Sequence, residues 1–339
     1  MTSEKNLGAN SLAISVVVPV RNEENSVRVL LEGLLCQTLP PDEIVITDGG
    51  STDDTREIIE EFIRNGAPVK LIREEFSMPG RARNVGVRNS GNDWIAFTDA
   101  GNRVERDWLA TLARRAVDDE GVDVVYGSYE PVIESFFEEC AAIAYVPPRF
   151  RADGKFVQPR SIVSALMRRS VWEAVGGFPE DLRSAEDLLF MRKVEEAGFR
   201  IEREPAAIVH WNIQPSLWRT FIRFVVYARN NIRAGLWRNW QASIFLWYTL
   251  IFVLLTTIVF LGWWGFFAAV LFWICLMIAR AMKSIYRNRR SHPAGLIRNF
   301  ARLFMIVLVL AAIDAAAIIG SVVWLFGDQL RLSNSRGPQ

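Results

Sequence analysis

The chain has 339 residues, with 39 Lys and Arg against 38 Asp and Glu for a formal net charge of +1, and half of its residues are hydrophobic. That length exceeds one typical domain and predicts an α/β domain with an appendage rather than two equal halves. Its three cysteines, Cys36, Cys140 and Cys275, are scattered without metal-type spacing, which argues against a disulfide framework and a zinc site.

In chain order, Met1 to Asn10 is polar, and the apolar stretch from Leu12 to Val20 is short and broken by Pro19 and Arg21, so no signal peptide is expected. From residue 13 to 100, β-rich runs alternate with amphipathic helical stretches. Strands are predicted at Ile14–Val18, Glu43–Thr47, Val69–Ile72 and Trp94–Thr98, with helices at Val27–Leu35, Thr55–Ile63 and Ala82–Asn89. Strand, helix, strand at this spacing predicts a mostly parallel sheet with helices on its faces, and such sheets bind ligands at the carboxyl ends of their strands. Three polar turns fall on that edge: Pro19-Val-Arg-Asn22-Glu23, Asp48-Gly-Gly-Ser51-Thr-Asp53 and Asp99-Ala-Gly-Asn102. Singly, each reads as an ordinary strand-to-helix turn, with Asn22 or Ser51 as a helix cap. Together they mark a ligand cleft.

Further along, Glu186 and Asp187 open a helix predicted to run to Ala197, where the helix dipole favours acids. The run from Ser216 to Trp240 mixes aromatics with five Arg, the composition of a helix lying in lipid headgroups, with packing against the preceding domain as the alternative. Charge then becomes one-sided: residues 205–339 carry 14 bases and 2 acids, against 25 and 36 before them. A basic region also suits nucleic acid, but the hydrophobicity between these charges argues against that partner and for a bilayer surface. From Asn239 to Ala279 there are 41 residues without a charge, interrupted at Gly262-Trp-Trp-Gly265, enough for two spans near 241–261 and 263–280. A third span is expected near 303–326, with Asp314 near its middle as a helix-packing partner or a functional group. Arg280 to Arg302 holds seven bases and no acid, which places that loop, and with it the N-terminal domain, on the cytoplasmic side of the cell membrane.

Six motifs in order carry a specific resemblance. They are Val18-Pro19-Val-Arg-Asn22-Glu23, Thr47-Asp48-Gly-Gly-Ser51-Thr-Asp53-Asp-Thr55, Gly80-Arg-Ala-Arg83-Asn84-Val-Gly86, Phe97-Thr-Asp99-Ala-Gly101, Val175-Gly-Gly-Phe178 and Ser184-Ala-Glu186-Asp187. From about Ala13 to Arg233 the chain resembles the family 2 glycosyltransferases, whose nucleotide-binding α/β fold is called GT-A. The resemblance implies that Pro19, Arg21 and Glu23 line the nucleoside pocket. It implies that Asp48, with Ser51 in its turn, receives a base that is often uracil, which favours a UDP-sugar donor. It puts Arg81, Arg83 and Asn84 where the family contacts the nucleotide, a solvated helix face being the alternative for the two Arg.

Asp99 stands where the family has the first carboxylate of an Asp-x-Asp motif for Mg²⁺ or Mn²⁺, while Gly101 replaces the second. One carboxylate with substrate phosphates suffices for some Mg²⁺ sites. His210 lies where many members supply a late metal ligand, or else it closes the sheet as a structural histidine. Asp187 matches the general base of an inverting transfer, with Glu186 holding an acceptor hydroxyl or aiding the base. A loop from Arg149 to Arg160 holds four bases against one acid, suiting a lipid-diphosphate acceptor or plain solvent.

The expected organisation is a tail at 1–12, a GT-A domain at 13–212, an interfacial helix region at 213–240, membrane spans at 241–326 and a tail at 327–339. The expected activity is transfer from a nucleotide sugar to a membrane-associated, lipid-linked or glycan acceptor in cell-surface polysaccharide or glycolipid synthesis, with no nucleic-acid partner. A polyprenyl-phosphate sugar synthase is the alternative enzyme, and an inactive membrane scaffold of the same fold is the alternative of another class.

Overall fold

A computed structural model describes residues 12–119, 121–151, 153–256 and 262–329. The expected tails at 1–12 and 327–339 therefore lie largely outside the described residues. The rest falls into two compact units, Met1–Val132 with Gln158–Asn212, and Ile133–Val157 with Ile213–Gln339.

The first unit is built on β1 (Ile14–Val20), α1 (Val27–Leu35), β2 (Glu43–Asp48), α2 (Thr55–Arg64), β3 (Val69–Arg73), α3 (Pro79–Asn89) and β4 (Trp94–Phe97). It continues with β5 (Asn102–Val104), α4 (Trp108–Asp118) and β6 (Val124–Val132). After an interruption come β7 (Ala165–Arg168), α6 (Arg169–Ala174), α7 (Glu186–Glu196) and β8 (Ile201–Asn212). The described strands form one sheet in the order β3-β2-β1-β4-β7-β6-β8-β5. The expected parallel character holds for β3, β2, β1 and β4. The other half is mixed, because β7 runs antiparallel to both β4 and β6, and β5 antiparallel to β8.

The near-continuous apolar runs of β1 and β2 follow from burial on both faces. Successive side chains point to opposite faces: Val16, Val18, Ile44 and Ile46 enter one core, while Val17, Val45 and Phe97 enter the other with Phe178 and Phe190. β1 lies between β2 and β4, so the chain turns one way to β2 and β3 and returns on the other side at β4. That reversal makes the crevice between the carboxyl ends of β1 and β4 the switch point at which open α/β sheets hold ligands.

The second unit holds α5 (Phe136–Tyr145), α8 (Leu217–Arg233), α9 (Gln241–Thr256), α10 (Trp263–Arg287) and α11 (Leu296–Trp324). Segment 133–157, which sequence reasoning kept in the GT-A domain, groups here instead: Cys140 and Ile143 of α5 pack with Met277, Ala281, Ile306 and Val309. Glu139 accepts hydrogen bonds from Arg298, at 2.7 Å, and from buried Arg302. Asp314 is fully buried and receives both terminal nitrogens of Arg280, at 2.5 and 2.9 Å, the helix-packing role among the two considered.

The helices Trp263–Arg287 and Leu296–Gly327, with mean hydropathies of 2.0 and 2.6, are long and apolar enough to cross a membrane. The expectation of three spans is not met among the described residues. The described helix Gln241–Thr256 has 16 residues, and the rest of the span expected near 241–261 lies outside the described residues. The other two differ in their bounds from 263–280 and 303–326, reaching Arg287 and starting at Leu296.

Candidate active site

The turns after β1 and β2 are knitted together by backbone-to-side-chain bonds. Asn22 adopts a positive φ of 55°, a region that Asn tolerates better than most residues. Its N–H donates to Ser51 Oγ at 2.9 Å, and its Oδ1 accepts from the Thr52 N–H at 2.9 Å. The Glu23 N–H donates to Thr55 Oγ1 at 2.7 Å. Asp48 is buried, and its Oδ1 accepts from the N–H of Ser51 at 3.0 Å and from Ser51 Oγ at 2.5 Å. Asp48 and Ser51 thus shape this turn, and the other Asp48 oxygen, Oδ2, lies 3.4 Å from Arg56 Nε in an ion pair. Pro19 is half-buried at the end of β1 and Arg21 is exposed beside it.

The centre of the site is Arg83. The resemblance put it on the nucleotide and the alternative put it in solvent, yet it is buried and bridges two carboxylates. Its terminal nitrogens donate to Asp99 Oδ1 at 2.6 Å and to Glu186 Oε1 at 2.7 Å, and its guanidinium lies 5.6 Å from the centre of the Phe178 ring. Burial works against its charge, but Asp99, Glu186 and Asp187 outweigh burial and raise its pKa above the ordinary value. Arg81, two residues away, is exposed and donates to Glu74 at 2.8 Å. One member of the pair is a buried clamp and the other a surface ion pair.

Asn84 binds protein. Its Oδ1 accepts from the Phe178 N–H at 2.8 Å and from Trp172 Nε1 at 2.9 Å, while its Nδ2 donates to the Phe178 carbonyl at 2.9 Å and to Glu180 Oε1 at 2.8 Å. These bonds moor the segment that leads into Glu186. Gly177 is required there: it holds a φ of +72°, and a Cβ would come within 2.7 Å of Asn84 Oδ1. Asn84→Ala is expected to lower stability by about 3 kcal/mol in urea unfolding, since several buried polar groups lose their partner at once.

Ala185, the residue before α7, adopts the left-handed conformation with φ 71°, which is uncommon outside glycine. It turns Glu186 inward at the helix start. Glu186 is buried, and its Oε2 has no hydrogen-bond partner among the described residues. Asp187 is half-buried beside it. Burial first and the Glu186 carboxylate next push the Asp187 carboxyl up to about 7, with Arg83 opposing. A carboxylate that titrates near neutrality is suited to taking and releasing a proton.

His210 is turned to another partner. It lies in β8 opposite Arg103 of β5, and its Nε2 is 2.6 Å from Glu105 Oε1. Among the described residues no three His, Cys, Asp or Glu side chains are grouped so as to hold a metal ion. Sequence reasoning missed Glu105, Phe178 and Glu180. Phe178 stood inside a quoted motif, whereas the two acids carried no local signal.

A family model for glycosyl transferase family 2 matches residues 15–176. Over 194 residues the chain is 28% identical to the glycosyltransferase AglE of Haloferax volcanii, covering 56% of this chain and 63% of AglE. Over 236 residues it is 28% identical to the succinoglycan biosynthesis protein ExoA of Rhizobium meliloti, covering 65% and 70%. The chain spans less than two thirds of the length of AglE and of several other curated relatives it matches. Among solved structures, the mannosyltransferase PcManGT of Pyrobaculum calidifontis superposes with a TM-score of 0.55 at 19% identity, covering 94% of this chain and 89% of that one, a likeness of fold. Residues 15–176, just under half of the chain, are thus similar to glycosyl transferase family 2, and the likeness of fold extends over most of the chain.

Proposed function

We propose that this chain is a membrane-anchored inverting glycosyltransferase. It moves a sugar from a nucleotide-sugar donor, UDP-linked in preference, to a lipid-linked acceptor in the assembly of a cell-surface polysaccharide or glycolipid. The observation that carries the reading is the cluster Asp99, Arg83, Glu186 and Asp187 beside the switch point, with the Asp187 carboxyl raised to about 7. Asp187 takes the acceptor hydroxyl's proton as that oxygen attacks the anomeric carbon from the face opposite the leaving diphosphate. Arg83 holds Glu186 and stabilises the developing negative charge. The names of two relatives support the substrate class: PcManGT is described in complex with GDP-Man and Mn²⁺, and ExoA as a biosynthesis protein of a polysaccharide.

The donor set fits Mg²⁺ or Mn²⁺ through Asp99. Arg83 holds one of its oxygens, and the half-exposed carboxylate offers the other. These hard cations complete their shell with phosphate and water oxygens, and such an ion neutralises charge on the leaving diphosphate when bound. His210 does not strengthen the set, because Glu105 takes its Nε2.

The two long apolar helices support anchoring, with the basic segment Arg280 to Arg302, which comprises their facing ends and the turn between them, on the cytoplasmic face of the cell membrane. The aromatic, Arg-bearing α8 serves as the interfacial element, and the catalytic domain works in the cytoplasm. UDP with Mn²⁺ at a hundredfold excess over Kd is expected to stabilise the purified chain by about 2.7 kcal/mol, a gain that Asp99→Asn removes. If no nucleoside diphosphate raises the melting temperature, the donor reading fails. Binding without turnover would favour the scaffold reading, for which Gly101 is the observation.

A further inference from the structure

The absence of a carboxylate at position 101 has a counterpart on the neighbouring strand. A Cβ built on Gly101 would lie 3.8 Å from Glu23 Oε2 and 4.0 Å from Glu23 Oε1. An aspartate there would carry its own oxygens two bonds further out, into the volume and the charge that Glu23 already occupies. Two carboxylates cannot share that volume as anions without a steep electrostatic cost. The two positions therefore reach the same volume, and with glycine at 101 the carboxylate found there comes from the other loop.

Glu23 is held for that approach. It follows β1 while Gly101 follows β4, and these strands are direct neighbours, with Val17 opposite Phe97. The Glu23 N–H is fixed by Thr55 Oγ1 at 2.7 Å, its carbonyl accepts from the Val27 N–H at 2.9 Å, and its Oε2 accepts from Ser26 Oγ. The left-handed Asn22 beside it is bonded to the β2 turn. Glu23 thereby brings its carboxylate to the turn that carries Asp99 and Gly101.

We infer that Glu23 supplies the second carboxylate of the divalent-cation and diphosphate site, standing in for the missing acid at position 101. This rests on the reading that the chain binds a nucleoside diphosphate with Mg²⁺ or Mn²⁺, and it moves Glu23 from the nucleoside pocket to the cation. Ligand count supports the assignment: Arg83 already takes one oxygen of Asp99, so Asp99 offers a dication only its other oxygen. Glu23 adds a second carboxylate, and the shell completed by phosphate and water needs no third protein ligand.

The test is Mn²⁺ binding to the full chain in detergent, read as loss of the free-ion electron paramagnetic resonance signal, with UDP and in parallel with GDP. Glu23→Gln and Asp99→Asn are each expected to weaken Mn²⁺ binding at least tenfold. Uridine, which carries no phosphate, should bind Glu23→Gln as it binds the unaltered chain. In Glu23→Gln/Gly101→Asp, where the acid returns on the other loop, Mn²⁺ affinity should recover to within about threefold of the original. An unchanged Mn²⁺ affinity in Glu23→Gln, with Asp99→Asn impaired, overturns the inference and leaves the cation reading standing. Loss of uridine binding in Glu23→Gln returns the residue to the nucleoside pocket and also overturns it. If the unaltered chain binds no Mn²⁺ with either diphosphate, the cation reading and this inference fall together.

Discussion

Asp187→Asn is expected to lower kcat on the order of 10³-fold or more while leaving the affinity for UDP within about twofold. An amide of the same shape cannot take the acceptor's proton, and general base catalysis contributes about 10²–10⁴-fold. The same residue sets the pH dependence. Its carboxyl is pushed up to about 7 by burial and by Glu186, and it acts only when ionised, so kcat/KM should fall about tenfold per pH unit below about pH 7. Stability runs the other way. A carboxyl whose folded pKa lies above its ordinary value of 3.8 binds its proton more tightly in the folded state. The penalty it imposes is absent below about pH 4, grows between about pH 4 and 7, and is complete above that. Asp187→Asn should therefore melt at a higher temperature than the unaltered chain at pH 8 and show no such gain near pH 4. A kinetic acid limb that persists in this variant would take the base role away from Asp187.

Arg83→Met is expected to cost both stability and activity. Glu186 is buried with one oxygen on Arg83 and the other without a partner among the described residues, and Asp99 loses its partner in the same step. Removing one side of a buried ion pair costs about 3–5 kcal/mol because the remaining charge stays buried. Arg83 is also the cation that restrains Asp187, so any activity left should have its acid limb shifted above pH 7. The companion variant Arg83→Met/Glu186→Gln removes both charges and should regain much of the stability without regaining turnover. If that double variant is as unstable as the single one, the damage lies in packing against Phe178 and not in the stranded carboxylate. Urea unfolding and the pH profile of the residual rate report the two parts separately.

The parts of the molecule written in local pattern were legible, and the parts written in distant pairs were not. Strands such as Ile14–Val20 and Glu43–Asp48 announce themselves because burial on both faces demands unbroken apolar runs, and the turn residues after them mark the ligand edge. Arg83 was legible as a nucleotide contact through its motif but not as a clamp between carboxylates, because its partner Glu186 lies 103 residues away. His210 likewise meets an acid 105 residues distant, one that no motif singled out. The start of the last apolar helix was misplaced for a related reason. Arg298 and Arg302 read as loop charges until the structure showed both held by Glu139 from a different stretch of chain. A charge neutralised at long range cannot be distinguished in sequence from one that faces water. The segment 133–157 gave no sign of leaving its surroundings, since a short helix with an apolar face fits either unit equally well.

That excursion of the chain has a consequence in time. Cys140 and Ile143 share their core with Met277, Ala281, Ile306 and Val309, and Tyr145 of the same helix meets Phe224, so a ribosome adding about 5–20 residues per second leaves this helix without its full set of partners for on the order of ten seconds after it emerges. Meanwhile Gln158 must already close the first unit against Tyr129, on the near side of the insert, with its Nε2 donating to the Tyr129 carbonyl at 2.7 Å. The first unit is thus finished around a loop whose apolar side has nowhere to go. Nascent chains at this stage should attract holding chaperones, and a clone ended at residue 212 would keep the helix in that stranded condition permanently.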